Sequence, residues 1–138
     1  MLSRKELANL LQQWEGAWNR HDLEGVIALF HEDVLFDNWS GARVQGKERL
    51  RRAWMAWFAD HGDFRFAEEE TFIDEETQKV LYRWRLEWAS PAPQYRGQRE
   101  VRRGVDILHF ADGKIIQKLA YCKTTVTIAG NRVALVAE

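Results

Sequence analysis

The chain has almost no cysteine, almost no net charge and no long apolar run. Its single cysteine, Cys122, cannot form a disulfide within the chain and is typical of the reducing cytoplasm. A formal net charge of −1 gives no basis for binding nucleic acid or an anionic membrane electrostatically. No apolar run could span a bilayer, and the charges at 4–6 interrupt any signal-peptide core. We therefore expect one cytoplasmic domain over residues 1–138, with no nucleic-acid or membrane partner.

Motifs for metal, phosphate or nucleophilic chemistry are also missing. Cys122 has no adjacent base, so an inert strand cysteine is expected. There is no phosphate-binding loop and no nucleophile elbow. No ligand spacing with cysteine or acids is found for any of the four histidines, which are His21, His31, His61 and His109. The sequence therefore implies no metal site and no cofactor.

Aromatic residues are abundant instead, with 7 Trp, 7 Phe and 3 Tyr. Small domains rarely need so many aromatic residues only to fold. Two compatible interpretations are a tryptophan-rich core with a dimer interface, and an aromatic-lined ligand pocket.

Hydrophobic periodicity predicts three helices followed by long strands. The first helix runs from Ser3 to Asn19, Asp22 caps a short second helix, and a third begins near Gly46 or Lys47. Strands are predicted over 34–39, 64–73 and 79–89 and in a hairpin over 104–121. After 125 the β pattern fades, and the short apolar segment 133–136 could pair with a neighbour. This order predicts an α+β fold in which a cone-shaped, curved antiparallel sheet wraps around three N-terminal helices.

The hairpin over 104–121 turns at Asp112-Gly113, and one carboxylate, Asp106, interrupts its apolar pattern. A two-residue loop would place Asp106 opposite Leu119, whereas a three-residue loop would place it opposite Lys118. We favour the second register because it gives a half-buried acid a cationic partner.

The sequence supports two interpretations of Asp106 equally well. It is either a general acid or hydrogen-bond donor kept protonated by apolar burial, or one half of a structural ion pair with Lys118. Lys118 could instead fix a substrate carboxylate or enolate. Arg83, Arg85 and Glu87 form either an anion clamp in the pocket or a salt-bridged outer face, and alternation alone does not decide between them.

Several segments together resemble one known superfamily. They are residues 14–18, 19–26, 29–34 and 46–48, and the segment 112–115 followed by Tyr121. Across about residues 3–126 the chain resembles the nuclear transport factor 2-like superfamily, in its SnoaL-like branch of polyketide cyclase-like and ketosteroid isomerase-like proteins. The resemblance implies a cystatin-like α+β barrel. It does not fix a reaction, because the fold carries isomerases, cyclases, dehydratases, epoxide hydrolases and non-enzymatic binders.

The resemblance to ketosteroid isomerases can be carried over residue by residue. Their general-base aspartate falls on Asn38, with Asp37 one residue before it, and their tyrosine donor falls on Trp14. Their protonated aspartate, four residues before a phenylalanine, matches Asp106 and Phe110.

Two other branches give different matches. In limonene epoxide hydrolase-like members the water-holding asparagine falls on Asn38, the arginine–x–acid pair on residues 85–87, and a further aspartate on Ala120. A SnoaL-like cyclase needs one acid/base carboxylate in an apolar pocket, and Asp106 could supply it. Of the three enzyme interpretations, this one conflicts with the fewest residues of the sequence.

We therefore expect a SnoaL-like protein that binds a small apolar or aromatic molecule in the cone. It would be a cofactor-free isomerase, cyclase or dehydratase with Asp106 as its catalytic residue; the alternative is a non-catalytic ligand-binding or dimerisation module. A homodimer through the outer sheet face is expected. The expected substrate-binding residues are Trp14, Trp18, Phe36, Asn38, Trp54, Phe58 and Lys118.

Overall fold

The computed structural model describes residues 1–60 and 62–135. His61 and Val136, which figure in the expectations above, lie outside the described residues. Helices α1, α2 and α3 span Arg4–Asn19, Leu23–Ile27 and Lys47–Asp60, and a 3₁₀ turn spans Pro93–Tyr95. The strands are β1 Phe30–Asp37, β2 Arg43–Gln45, β3 Arg65–Asp74, β4 Lys79–Ala89, β5 Arg99–Ala111, β6 Lys114–Cys122, β7 Thr125–Ile128 and β8 Asn131–Ala134.

Helices α1 and α2 begin where side chains satisfy their free backbone amides. Ser3 and Glu6 form a reciprocal capping box at the start of α1. The Asp22 carboxylate accepts a hydrogen bond from the Gly25 amide and caps α2. Both predicted caps are therefore confirmed.

The strands form one curved sheet in the order β2-β1-β6-β5-β4-β3, with β7 added to β5 and β8 to β7. The α+β fold, with a curved sheet around three helices, is confirmed. The sheet is mixed rather than purely antiparallel, because β1 runs parallel to β6. The expectation that β structure fades after 125 is wrong: β7 and β8 form a hairpin whose turn contains Ala129 and Gly130, both with positive φ.

The β5–β6 hairpin has neither of the two registers considered. Its turn has two residues, Asp112 and Gly113, both with positive φ. Ile116 is then an extra residue on β6, and this bulge brings Asp106 opposite Ala120. Because the bulge inverts the alternation on β6, Lys118 faces the same side of the sheet as Asp106. The expected ion pair is therefore present although the expected register is wrong.

The core lies between the helices and the concave face of the sheet. On β4 the inner face is buried, while Arg83 pairs with Glu70, and Arg85 with Glu87, on the outer face. The alternative of a salt-bridged outer face is therefore the correct one. The buried β4 residues are Val80, Tyr82, Trp84, Leu86 and Trp88.

The Trp84 indole lies against the backbone of β5 at Gly104, its cross-strand partner. A Cβ atom at Gly104 would lie 2.2 Å from the Tyr121 carbonyl oxygen and 2.5 Å from the Trp84 ring. Only glycine therefore allows the Trp84 ring to approach the backbone of β5 this closely.

Candidate functional site

A cavity of about 310 Å³ lies between α1, α3 and the concave sheet face. Its walls are mostly aromatic, as in many small-molecule sites. Its mouth is formed by residues that remain partly or fully exposed, among them Trp39, Ala42 and Ala53. The complete lining is Trp14, Glu15, Trp18, Phe36, Asn38, Trp39, Ala42, Val44, Ala53, Trp54, Trp57, Phe66, Tyr82, Trp84, Asp106 and Lys118.

Asp106 and Lys118 form a buried ion pair in the cavity floor. Lys118 Nζ lies 3.2 Å from Asp106 Oδ1, and the two residues are only 7% and 5% exposed. The Lys118 ammonium also lies 4.9 Å from the Phe36 ring centroid and 5.8 Å from that of Trp14. Asp106 Oδ1 is fully enclosed, whereas Oδ2 is not, so Oδ2 is the oxygen that can meet a bound molecule.

Tyr82 lies directly opposite Asp106 on the neighbouring strand and continues the polar floor. Its hydroxyl donates a hydrogen bond to Glu15 Oε2 on α1. Burial, the bond to Glu15 and the nearby charges of Asp106 and Glu68 all raise the pKa of Tyr82 far above its usual range. Tyr82 is therefore a neutral hydrogen-bond donor at all ordinary pH values.

The loop after β1 places Asn38 and Trp39 at the mouth. The Asn38 side-chain oxygen accepts a hydrogen bond from the Trp39 amide at 2.8 Å. The Trp39 ring packs against Trp84, with ring centroids 5.6 Å apart. Asp37 pairs with Arg43 at 3.3 Å outside the cavity, so it does not take the position of an isomerase base.

The cavity brings together Asp106 and all the expected substrate-binding residues except Phe58. The Phe58 ring packs on Trp18, with centroids 4.9 Å apart, and lies behind the lining. Arg85 and Glu87 lie on the outer face, so the anion-clamp interpretation and the epoxide hydrolase-like pair are wrong here.

Sequence reasoning missed Glu15 as a lining residue. A signal was available, because Glu15 stands four residues after Leu11 and three before Trp18, within the apolar stripe of α1. It also left Tyr82 and Trp84 unassigned, because alternation on β4 shows which residues share a face but not which face lines the cavity.

The described part of the chain offers no second reactive centre among its metal-ligating or thiol groups. No group of three or more histidine, cysteine or acidic side chains there could hold a metal ion. Burial raises the pKa of the Cys122 thiol, which keeps it unreactive. Over residues 1–60 and 62–135, every helix is too short or too polar to cross a membrane.

Comparisons with known proteins identify the fold. The family model described as SnoaL-like domain matches residues 11–118. A provisionally named polyketide cyclase from Xanthomonas campestris pv. campestris superimposes with a TM-score of 0.74 at 22% identity, covering 86% of this chain and 90% of that one. No functionally curated protein matches the chain.

Two further solved structures agree. A protein of unknown function with a cystatin-like fold from Methylobium petroleophilum gives a TM-score of 0.69 at 20% identity, covering 88% of this chain and 78% of that one. A nuclear transport factor 2-like protein of unknown function from Mesorhizobium loti gives 0.71 at 26% identity, covering 89% and 96%. Both the superfamily and the cystatin-like fold expected from the sequence are confirmed.

Proposed function

This chain belongs to the SnoaL-like domain family, and on that basis we propose that it binds a small aromatic ketone and moves a proton on it. Asp106 would be the base and Lys118 the group that stabilises the enolate. The reaction class is a cofactor-free isomerisation, cyclisation or dehydration. The observation that carries the proposal is the buried Asp106–Lys118 pair in the floor of an aromatic cavity.

The size of the cavity limits the ligand. At the packing density of protein interiors, about 0.74, a cavity of 310 Å³ accommodates about 230 Å³ of van der Waals volume. That leaves room for an aromatic molecule of two to four fused rings. The many aromatic side chains of the lining favour an aromatic ligand, because aromatic rings attract one another in offset-stacked and edge-to-face arrangements.

The floor can carry out enolisation of such a ligand. Asp106 Oδ2 removes a proton from the carbon next to the carbonyl group, and the C–H electron pair becomes the enolate double bond. The carbonyl oxygen gains the negative charge next to Lys118 Nζ, whose ammonium stabilises it. The carboxylic acid form of Asp106 then returns the proton to the same carbon or to another carbon within reach.

A substitution at Asp106 tests this step with 2-tetralone, a bicyclic ketone whose α-protons exchange with D₂O. We expect the wild-type protein to accelerate this exchange, measured by ¹H NMR, and Asp106→Asn to reduce the acceleration at least about 100-fold. Binding of 2-tetralone, measured by tryptophan fluorescence, should change less than about twofold, because the amide replaces the carboxylate isosterically.

The matched control is Asp37→Asn, which makes the same change one residue from the lining and outside the cavity. It should exchange 2-tetralone as fast as the wild type. If the wild type binds 2-tetralone without accelerating exchange, or Asp106→Asn exchanges it equally fast, the acid/base role is wrong. The alternative, a non-catalytic ligand-binding module, would then be favoured.

The outer sheet face supports the further proposal of a homodimer. Four apolar side chains form a row in register across β3, β4, β5 and β6, with the exposed ring of Tyr121 beside it. Phe72, at one end of the row, and Tyr121 are 59% and 56% exposed. Such a contiguous apolar patch is typical of a protein interface. The row consists of Phe72, Leu81, Ile107 and Leu119.

Light scattering coupled to gel filtration tests the dimer. We expect the wild type to elute at about twice the chain mass of 16.2 kDa. The double variant Phe72→Glu/Tyr121→Glu should elute at the mass of one chain, because two carboxylates would be desolvated in each half of the interface. Met55→Glu, an exposed change on α3, is the control and should stay dimeric. A wild-type monomer at micromolar concentration would contradict the proposal.

A further inference from the structure

The charges of the cavity floor do not cancel. Along the floor, Lys118 on β6 is followed by Asp106 on β5, Tyr82 on β4 and Glu15 on α1. Lys118 neutralises Asp106, and Tyr82 is neutral. Glu15 makes no ion pair with any side chain in the described part of the chain, so its carboxylate is the one uncompensated charge in the lining.

Only one of the two Glu15 carboxylate oxygens has a hydrogen-bond partner in the described part of the chain. Oε2 accepts the Tyr82 hydroxyl, whereas Oε1 has no partner among residues 1–60 and 62–135 and is not enclosed by protein. The Tyr82 bond fixes the position of the carboxylate, so Oε1 is a preorganised acceptor at the cavity wall. A half-buried carboxylate in an apolar environment gains most from a ligand that brings a positive charge.

The walls favour the same kind of ligand. The faces of tryptophan rings attract cations, and six tryptophans line this cavity. Lys118 already illustrates the effect, since its ammonium lies over the Phe36 and Trp14 rings. Glu68 lies on β3, on the side of the sheet away from Lys118, and adds a further carboxylate near the Tyr82 hydroxyl.

We infer that the cavity selects an aromatic molecule that carries a cationic nitrogen, which the Glu15 carboxylate binds at the end of the floor opposite Lys118. This inference rests on the proposed function, because it concerns a ligand of the same cavity. A substrate would then place its carbonyl group near Lys118 and its ammonium or protonated ring nitrogen near Glu15. The same geometry disfavours carboxylate ligands at the Glu15 end.

Three probes of nearly equal shape test the inference by isothermal titration calorimetry at pH 7. They are 2-naphthylmethylamine, which is a cation at this pH, the neutral 2-naphthalenemethanol, and the anion 2-naphthoate. We expect the wild type to bind the amine at least tenfold more tightly than the alcohol, and the alcohol more tightly than the naphthoate. Glu15→Gln should weaken binding of the amine at least tenfold and change binding of the alcohol less than twofold.

Glu15→Gln keeps an oxygen that can accept the Tyr82 hydroxyl, so the lining should keep its shape. Glu76→Gln, which removes the same charge from an exposed turn, is the control and should leave binding of all three probes unchanged. If the alcohol binds but Glu15→Gln leaves the amine affinity unchanged, or the amine has no advantage, the inference is overturned and the proposed function stands. If none of the probes binds, both are overturned.

Discussion

Asp106→Asn should cost about 3–5 kcal/mol of the free energy of unfolding, because it leaves the Lys118 ammonium buried without its counter-charge. At roughly 4 °C per kcal/mol for a domain of this size, the melting temperature should fall by about 12–20 °C. Most domains retain net stability after such a loss, so the exchange assay with this variant remains feasible at low temperature.

The stability lost in Asp106→Asn should come from the buried Lys118 ammonium, which has no counter-charge in this variant. A second substitution can show this. Asp106→Asn/Lys118→Met removes both charges and should recover most of the lost stability, since replacing a buried pair by uncharged side chains is often neutral. Urea unfolding, monitored by circular dichroism, measures all the variants. Glu70→Gln breaks the exposed pair with Arg83 and should cost less than about 1 kcal/mol. A double variant no more stable than Asp106→Asn would contradict this account.

Gly104→Ala should be the second severe substitution, costing about 3 kcal/mol. The new methyl group would lie 2.2 Å from the Tyr121 carbonyl oxygen, so either β5 and β6 must separate or the backbone must shift. Since the methyl group would also displace the Trp84 ring, affinity for aromatic probes should fall together with stability. Thermal unfolding and tryptophan fluorescence titration measure the two effects.

Gly16→Ala provides the matched control for the glycine substitution. Its methyl group would meet only the end of the exposed, flexible Arg20 side chain, at 2.9 Å from Nη1. Within helix α1, alanine is favoured over glycine by roughly 0.5–1 kcal/mol. This variant should therefore be slightly more stable than the wild type. Equal effects at Gly16 and Gly104 would show that backbone entropy, and not the close approach of Tyr121 and Trp84, determines the result.

Local chemistry made the secondary structure predictable. Three local signals each specify one conformation through neighbours in the sequence, and the structure has all three. They are the capping box of Ser3 and Glu6, the helix cap at Asp22, and the turn at Asp112-Gly113. The register of β6 was not predictable, because no glycine or proline at or beside Ile116 marks the bulge in the sequence. The ion pair was inferred correctly because a buried acid requires a partner in any register.

The aromatic part of the site was predictable from the sequence. Aromatic residues on the apolar stripes of α1 and α3 had to face the core, and most of those expected at the cavity line it. Phe58 differs from Trp57 by one position on α3, and helical spacing does not resolve which of the two reaches an open space. Glu15 was missed because an acid in a helix is ordinarily assigned to the solvent face.

β1 and β6 lie side by side in the sheet although Phe36 and its neighbour Lys118 are 82 positions apart in the sequence (118 − 36). Pairing at such separation forms slowly, because a long loop must close before any contact is gained. At about 5–20 residues per second of synthesis, about 4–16 s pass between the addition of Phe36 and that of Lys118 to the growing chain. Until β5 and β6 have been added, the two central strands of the sheet are missing over the tryptophans of α1 and α3, so the nascent chain exposes part of the aromatic surface that later lines the cavity.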